Sequence, residues 1–317
     1  MVGQVVIPEE LLMMIDTLRT HIRGVLSRTP AWSSELAAFE TEAAWIIGDW
    51  ATVEQVGERS PPIAQVLLAV QQRRDIEPVI KAARQDLGRA INSHSFARSY
   101  DPVLQLHLLR EIQMIHSADK AINAIREPTN RSAIIAQHHA QLTSSLTDRF
   151  DTAAPAFRVR EAILSMRRTA FSLATAESIK PDIGIAWITS SKVARKAGYE
   201  QTAYSATLQA QQIGAPFTFL QQAKLSKLHG GAYKALTELE NSVKPLVHKQ
   251  LKAERSDSSL VSMRDPNLAK VWPCLYLRVQ LMGQAVLCEA RWANETDRFE
   301  PNEIIMRYQN AIGLASE

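Results

Sequence analysis

A pattern spaced like a helical repeat occurs twice between Trp187 and Leu239, and nothing else in the 317 residues narrows the fold as much. Trp187, Gly198, Ala203 and Ala210 stand at the relative spacings of a tetratricopeptide-type helix pair. In such a pair a bulky residue opens the first helix, Gly closes the turn, and small Ala residues let the second helix lie close against the first. Phe219, Gly230 and Ala235 repeat the first three places, each thirty-two residues on. The plainer alternative is two αα-hairpins with no repeat relation. The repeat predicts stacked units that bury their apolar faces on their neighbours.

The rest of the chain reads the same way. Leu11, Leu12, Ile15, Leu18 and Ile22 fall near one face of a helix over 8–27, after Pro8. A helix from Ser34 to Ile47, a turn at Gly48-Asp49 and a second helix from Trp50 form a pair, with Trp32, Trp45 and Trp50 read as core. Pro61-Pro62 breaks the chain before a pair over 63–70 and 76–91. Asp101-Pro102 starts a helix carrying Leu104, Leu108, Ile112 and Ile115. Helices over 133–150 and 155–173 follow. The second places Val159, Ile163, Met166 and Ala170 on one face and Arg158, Arg160, Arg167 and Arg168 mostly on the others. Pro181 starts the helix of Trp187, a long apolar helix spans 275–292, and Pro301 opens a last one through Ile312. About fourteen helices are expected. Only 12 glycines and few β-branched runs argue against a β-rich fold. The expected class is all-α: a tetratricopeptide-like solenoid of antiparallel helix pairs. Repeats are expected over 1–249, a polar linker or insert over 250–267, and further repeats over 268–317.

Motifs of known chemistry are absent. The sequence has no G-x-x-x-x-G-K-[ST], no G-x-G-x-x-G after a strand, no H-E-x-x-H, no G-x-S-x-G and no D-F-G. Acidic residues are scattered on presumed polar faces, so no acid–base couple stands out. His138-His139 are adjacent and point to different parts of a helix surface. Cys274 and Cys288 on one helix would lie about 21 Å apart, too far for a disulfide. They fit a reducing compartment. Arg291, three positions after Cys288, is the one basic neighbour in sequence that could lower a thiol pKa. A net charge of +3 makes no strong case for a polyanion partner, and the cluster Arg73, Arg74, Lys81, Arg84 and Arg89 reads as a solvated face. The first thirty residues hold no apolar run long enough for a signal peptide or a membrane span. No catalytic, cofactor-binding or metal-binding residue is assigned.

Four collinear segments resemble the FAT domain of ATR-type kinases, a branch of the phosphatidylinositol-3-kinase-related protein kinases. The first is Trp32-Ser33-Ser34-Glu35-Leu36 with Glu42-Ala43-Ala44-Trp45 and Trp50. The second is Ser99-Tyr100 with Leu106-His107-Leu108-Leu109 and Glu111. The third and most specific runs from Ile163-Leu164-Ser165-Met166-Arg167-Arg168 through Trp187 to the stretch Ser191 to Gly198 and Gln201-Thr202-Ala203-Tyr204. The fourth is Trp292, Glu295-Thr296, Phe299-Glu300, Asn302, Ile304 and Tyr308.

The resemblance implies a helical scaffold that embraces a kinase domain of the same polypeptide and helps form a homodimer. It implies a nuclear serine/threonine kinase of the DNA-damage checkpoint, which works with the ATR-interacting protein and favours Ser or Thr followed by Gln. ATP and Mg would belong to the kinase domain. The chain carries none of that domain's elements, so no catalytic residue carries over and the expectation is a segment truncated before it. Neither direct nucleic-acid binding nor membrane insertion is expected. The second functional reading is a stand-alone tetratricopeptide-like module that binds a peptide or protein in a groove. It needs cations at matching places of adjacent repeats, and Lys192 and Lys224 stand thirty-two apart. A solvated face is the commoner explanation for such a pair.

Overall fold

The computed structural model describes residues 33–57, 60–93, 100–126, 131–256, 275–296 and 298–316, with Thr17, Thr20, His21 and Gly24. Most of the expected 8–27 helix, Trp32, Ser99, Cys274 and most of the polar segment 250–267 lie outside the described residues. Among the described residues the chain forms twelve helices and no strand. It is all-α, as expected. Two compact units divide it, one of residues 1–117 and 165–174, the other of 118–164 and 175–317.

The first unit begins with the helix pair α1 (Ser33–Ile47) and α2 (Trp50–Val56). Gly48 takes φ +80 at their turn. Asp49 caps α2, its carboxylate accepting from the Thr52 N–H at 3.2 Å. Trp45 is buried and Trp50 half-buried. Pro62 does not end structure but begins α3 (Pro62–Gln71), where a missing N–H costs nothing. In α4 (Glu77–Ser93), Ile80, Ala83 and Leu87 are buried at helical spacing. Leu108, Leu109, Ile112 and Ile115 of α5 (Tyr100–Ala124) are buried too.

The second unit includes α6 (Arg131–Thr152), α8 (Asp182–Lys196), α9 (Glu200–Gln212), α10 (Thr218–Ser256), α11 (Leu275–Glu295) and α12 (Pro301–Ser316). Helix α7 (Phe157–Leu173) contributes its first half here, with Val159 and Ile163 buried, while Met166 and Ala170 of the same expected face are buried in the first unit. Helices α8 and α9 form the first repeat around Gly198, at φ +83, with Ala203 and Ala210 fully buried. Trp187 and Phe219 are both half-buried.

The second repeat departs from expectation at one residue. Its turn is at Gly231 (φ 79, ψ 170), one place after the expected Gly230. Both are glycine, so either tolerates the left-handed region. Gly230 stays within the helix, and a Cβ there would stand 2.9 Å from the Lys234 side chain. The helix carries on to Ser256, past the expected start of the linker. Leu220, Leu236, Leu239, Met282, Val286 and Trp292 make one core between α10 and α11, with Ala311 of α12.

Candidate functional site

Burying an ionised group is costly unless it is paired, so buried polar residues show where a fold has invested in chemistry or in rigidity. In the first unit, Glu111 of α5 is fully buried. Arg167 of α7 donates to both of its oxygens, Nε to Oε2 and Nη2 to Oε1, each at 2.7 Å. His107 Nε2 stands 3.1 Å from Oε1. Burial works against the ionised carboxyl, but the hydrogen bonds and charges of Arg167 and His107 outweigh it and hold Glu111 below the ordinary carboxylate range. Acidic residues therefore do not all lie on polar faces, and Arg167 is buried rather than on the solvated side of α7. The partner that pulls it inward stands 56 residues away.

The second unit holds three more such networks. His139 Nε2 lies 2.9 Å from Asp182 Oδ2, both buried, while His138 is half-buried beside it. Among the described residues His139 Nδ1 has no hydrogen-bond partner. Asp119 accepts from the Thr175 and Ala176 N–H groups at 2.9 and 2.7 Å and from the Thr175 hydroxyl. Arg307 of α12 donates to Glu240, Glu289 and Glu303 at 2.6, 3.2 and 3.0 Å, with its guanidinium 4.4 Å from the Phe299 ring centre. The networks tie one helix to another or, at Asp119, α5 to the segment that follows α7. These groups position helices.

The basic residues sort by place. Arg73, Arg74, Lys81, Arg84 and Arg89 are all exposed, the solvated face expected of them. Lys192, Arg195 and Lys196 sit at i, i+3 and i+4 on α8, hence on one face. Lys224 of α10 joins them, because Ala194 and Leu225, the neighbours of these cations in sequence, pack in one cluster with Ala203. Arg160 of α7 is within electrostatic reach of Lys192. Loss of hydration comes first in pushing the Lys192 amine down; Lys196, Arg195 and Arg160 add to it, and Asp151 opposes. Loss of hydration likewise lowers Lys224; Arg195, Lys192 and Lys196 add, and the Cys288 sulfur opposes. The cations near Cys288 are thus Lys224 and Arg195. Arg291, the neighbour expected from sequence, pairs instead with Glu295 at 3.2 Å. Repeat spacing pointed to Lys192 and Lys224. It missed Arg195, Lys196 and Arg160, whose grouping depends on how α7, α8 and α10 pack.

Among the described residues no set of His, Cys, Asp or Glu could hold a metal ion, and no helix is long and apolar enough to cross a membrane. Stacked helix pairs, polar ties between helices and a surface cluster of cations define a helical-repeat scaffold.

The FAT domain family model matches residues 37–317, and the chain belongs to that family. Among curated proteins it is similar to "Serine/threonine-protein kinase ATR" of Arabidopsis thaliana, 24% identical over 250 residues, covering 72% of this chain and 9% of that protein. The kinase of the same name from Oryza sativa subsp. indica is 21% identical over 322 residues, 95% of this chain and 12% of that protein. That of Drosophila melanogaster is 22% identical over 227 residues, 65% and 9%. The chain spans about a tenth of the length of these relatives.

Proposed function

We propose that this chain is the scaffold and regulatory FAT segment of an ATR-type checkpoint serine/threonine kinase acting in the nucleus in the DNA-damage response. The observation that carries the reading is the family match over 37–317, joined to relatives that are each named as that kinase. The networks support it: they hold distant segments of the helical fold to one another. In this reading the packed helices hold a kinase domain of the same polypeptide, which supplies the ATP and Mg chemistry. They also contribute to the homodimer and to binding of the ATR-interacting protein. Coupling through them needs an element with two packings, and the near-saturated pairs at Glu111 and Arg307 are the contacts such a change would break.

The test is to sequence the transcript through the codon for Glu317, and to assay the immunoprecipitated product for phosphorylation of Ser-Gln and Thr-Gln peptides. A frame that continues into a kinase domain, with that activity, is the expected result. A stop codon after Glu317 in the mature transcript would overturn it. The second reading, a stand-alone tetratricopeptide-like module that binds a peptide or protein, is favoured by one observation, the cations shared by α8 and α10.

A further inference from the structure

Several buried or half-buried charges are matched: Arg167 with Glu111, Arg307 with three carboxylates, Lys227 with Glu295. The cations of α8 and α10 are not paired in this way. Lys192, Arg195, Lys196 and Lys224 form no salt bridge among the described residues, and Asp151 is the one carboxylate acting on Lys192. Arg195 Nε and Arg160 Nε are buried without a hydrogen-bond partner. Like charges held together repel, and a buried donor left unmade costs free energy, so the cluster has unused capacity for an anion.

We propose that Lys192, Arg195, Lys196 and Lys224 form a docking site for an acidic peptide segment, taking its carboxylate or phosphate groups. Charge complementarity selects the occupant. Three of the cations lie within five residues of one helix, a rise of about 6 Å, which suits a few neighbouring acidic side chains. A nucleic acid would require a longer track of phosphate contacts and successive stacking faces. Tyr199, 52% exposed and stacked on Phe157 at 4.4 Å between ring centres, borders the cluster at the end of α8. A rigid exposed aromatic beside cations suits a peptide chain better than a bare inorganic anion. The inference extends the peptide-binding reading and also holds for a scaffold inside a kinase. Its failure leaves the transcript test untouched.

The experiment uses the 317-residue chain and fluorescence anisotropy. The probes are a labelled Asp/Glu peptide, the same peptide with phosphoserines, and single-stranded oligothymidylate of equal charge. Both peptides should bind, and binding should weaken with salt. Lys192→Glu with Lys224→Glu should weaken it about tenfold or more, and Lys81→Glu should leave it unchanged. Tighter binding of one peptide names the source of the anion, carboxylate or phosphate. Circular dichroism checks each variant's fold, and Lys192→Glu alone, at an exposed position, serves if the double variant unfolds. Equal binding by a folded variant, tighter binding of oligothymidylate, or no binding of either peptide would overturn the proposal.

Discussion

Glu111 has little freedom to be anything else. With Arg167 on both oxygens, cutting it to Ala takes the bidentate carboxylate from a buried guanidinium, which costs about 3–5 kcal/mol. Urea unfolding should show that loss, and Glu111→Leu with Arg167→Met should be closer to the native chain than either single change. A double variant as weak as the singles would mean that the pair was not what the first unit loses. The sign with pH follows from the lowered carboxyl. An ionised Glu111 is favoured by the fold, so its stabilisation is complete above the unfolded value of about 4.3 and disappears as pH falls through the lower folded value. Glu111→Gln should therefore flatten the acid side of the stability profile, read as urea midpoints below about pH 5. Sequence periodicity could not find this pair. Arg167 shares its helix with charged neighbours that do face solvent, and only the partner 56 residues away distinguishes it.

At the scale of the element, the helix faces were legible where apolar spacing alone decides them, as in α4 and α7. The turns were legible where glycine is required. Gly198 takes φ +83 with open space around its missing Cβ, so substitution there strains backbone only. Gly198→Val should cost more than about 1 kcal/mol and Gly198→Asn less, because Asn enters the left-handed region more easily; thermal melts rank the two. Gly184 in the first turn of α8 carried no sequence signal. A Cβ there would stand 2.7 Å from the Ala215 Cβ, after the turn that follows α9. Ala has the better helix propensity by about 1 kcal/mol, yet Gly184→Ala should destabilise by about 1–3 kcal/mol through overpacking. A raised melting temperature would show that the α8 contact yields. The shift from Gly230 to Gly231 was illegible for a simpler reason, since adjacent glycines have the same freedom.

Across the whole molecule, the family was legible from collinear segments, and the cation site was only partly so, because repeat spacing gives register but not which side chains from other helices arrive. Ile305 and Ile312 of α12 share one face and are 53% and 63% exposed. Replacing both with Glu should leave the melting temperature nearly unchanged, within about 0.5 kcal/mol per site, and reduce self-association in light scattering. A large stability loss would mean that this face is covered in solution. Asp119 bears on the chain in time as well as in space. The segment ahead of α8 donates two of its N–H groups, those of Thr175 and Ala176, to Asp119, while Pro181, at the start of that helix, offers no side-chain cap. All of α6 and α7 must leave the ribosome between Asp119 and Thr175, so the acceptor is always made before the donors it will hold. A peptide excised around α8 would lack its opening turn, and a chain permuted to start after Asp119 would have to wait for its own last residues to complete it.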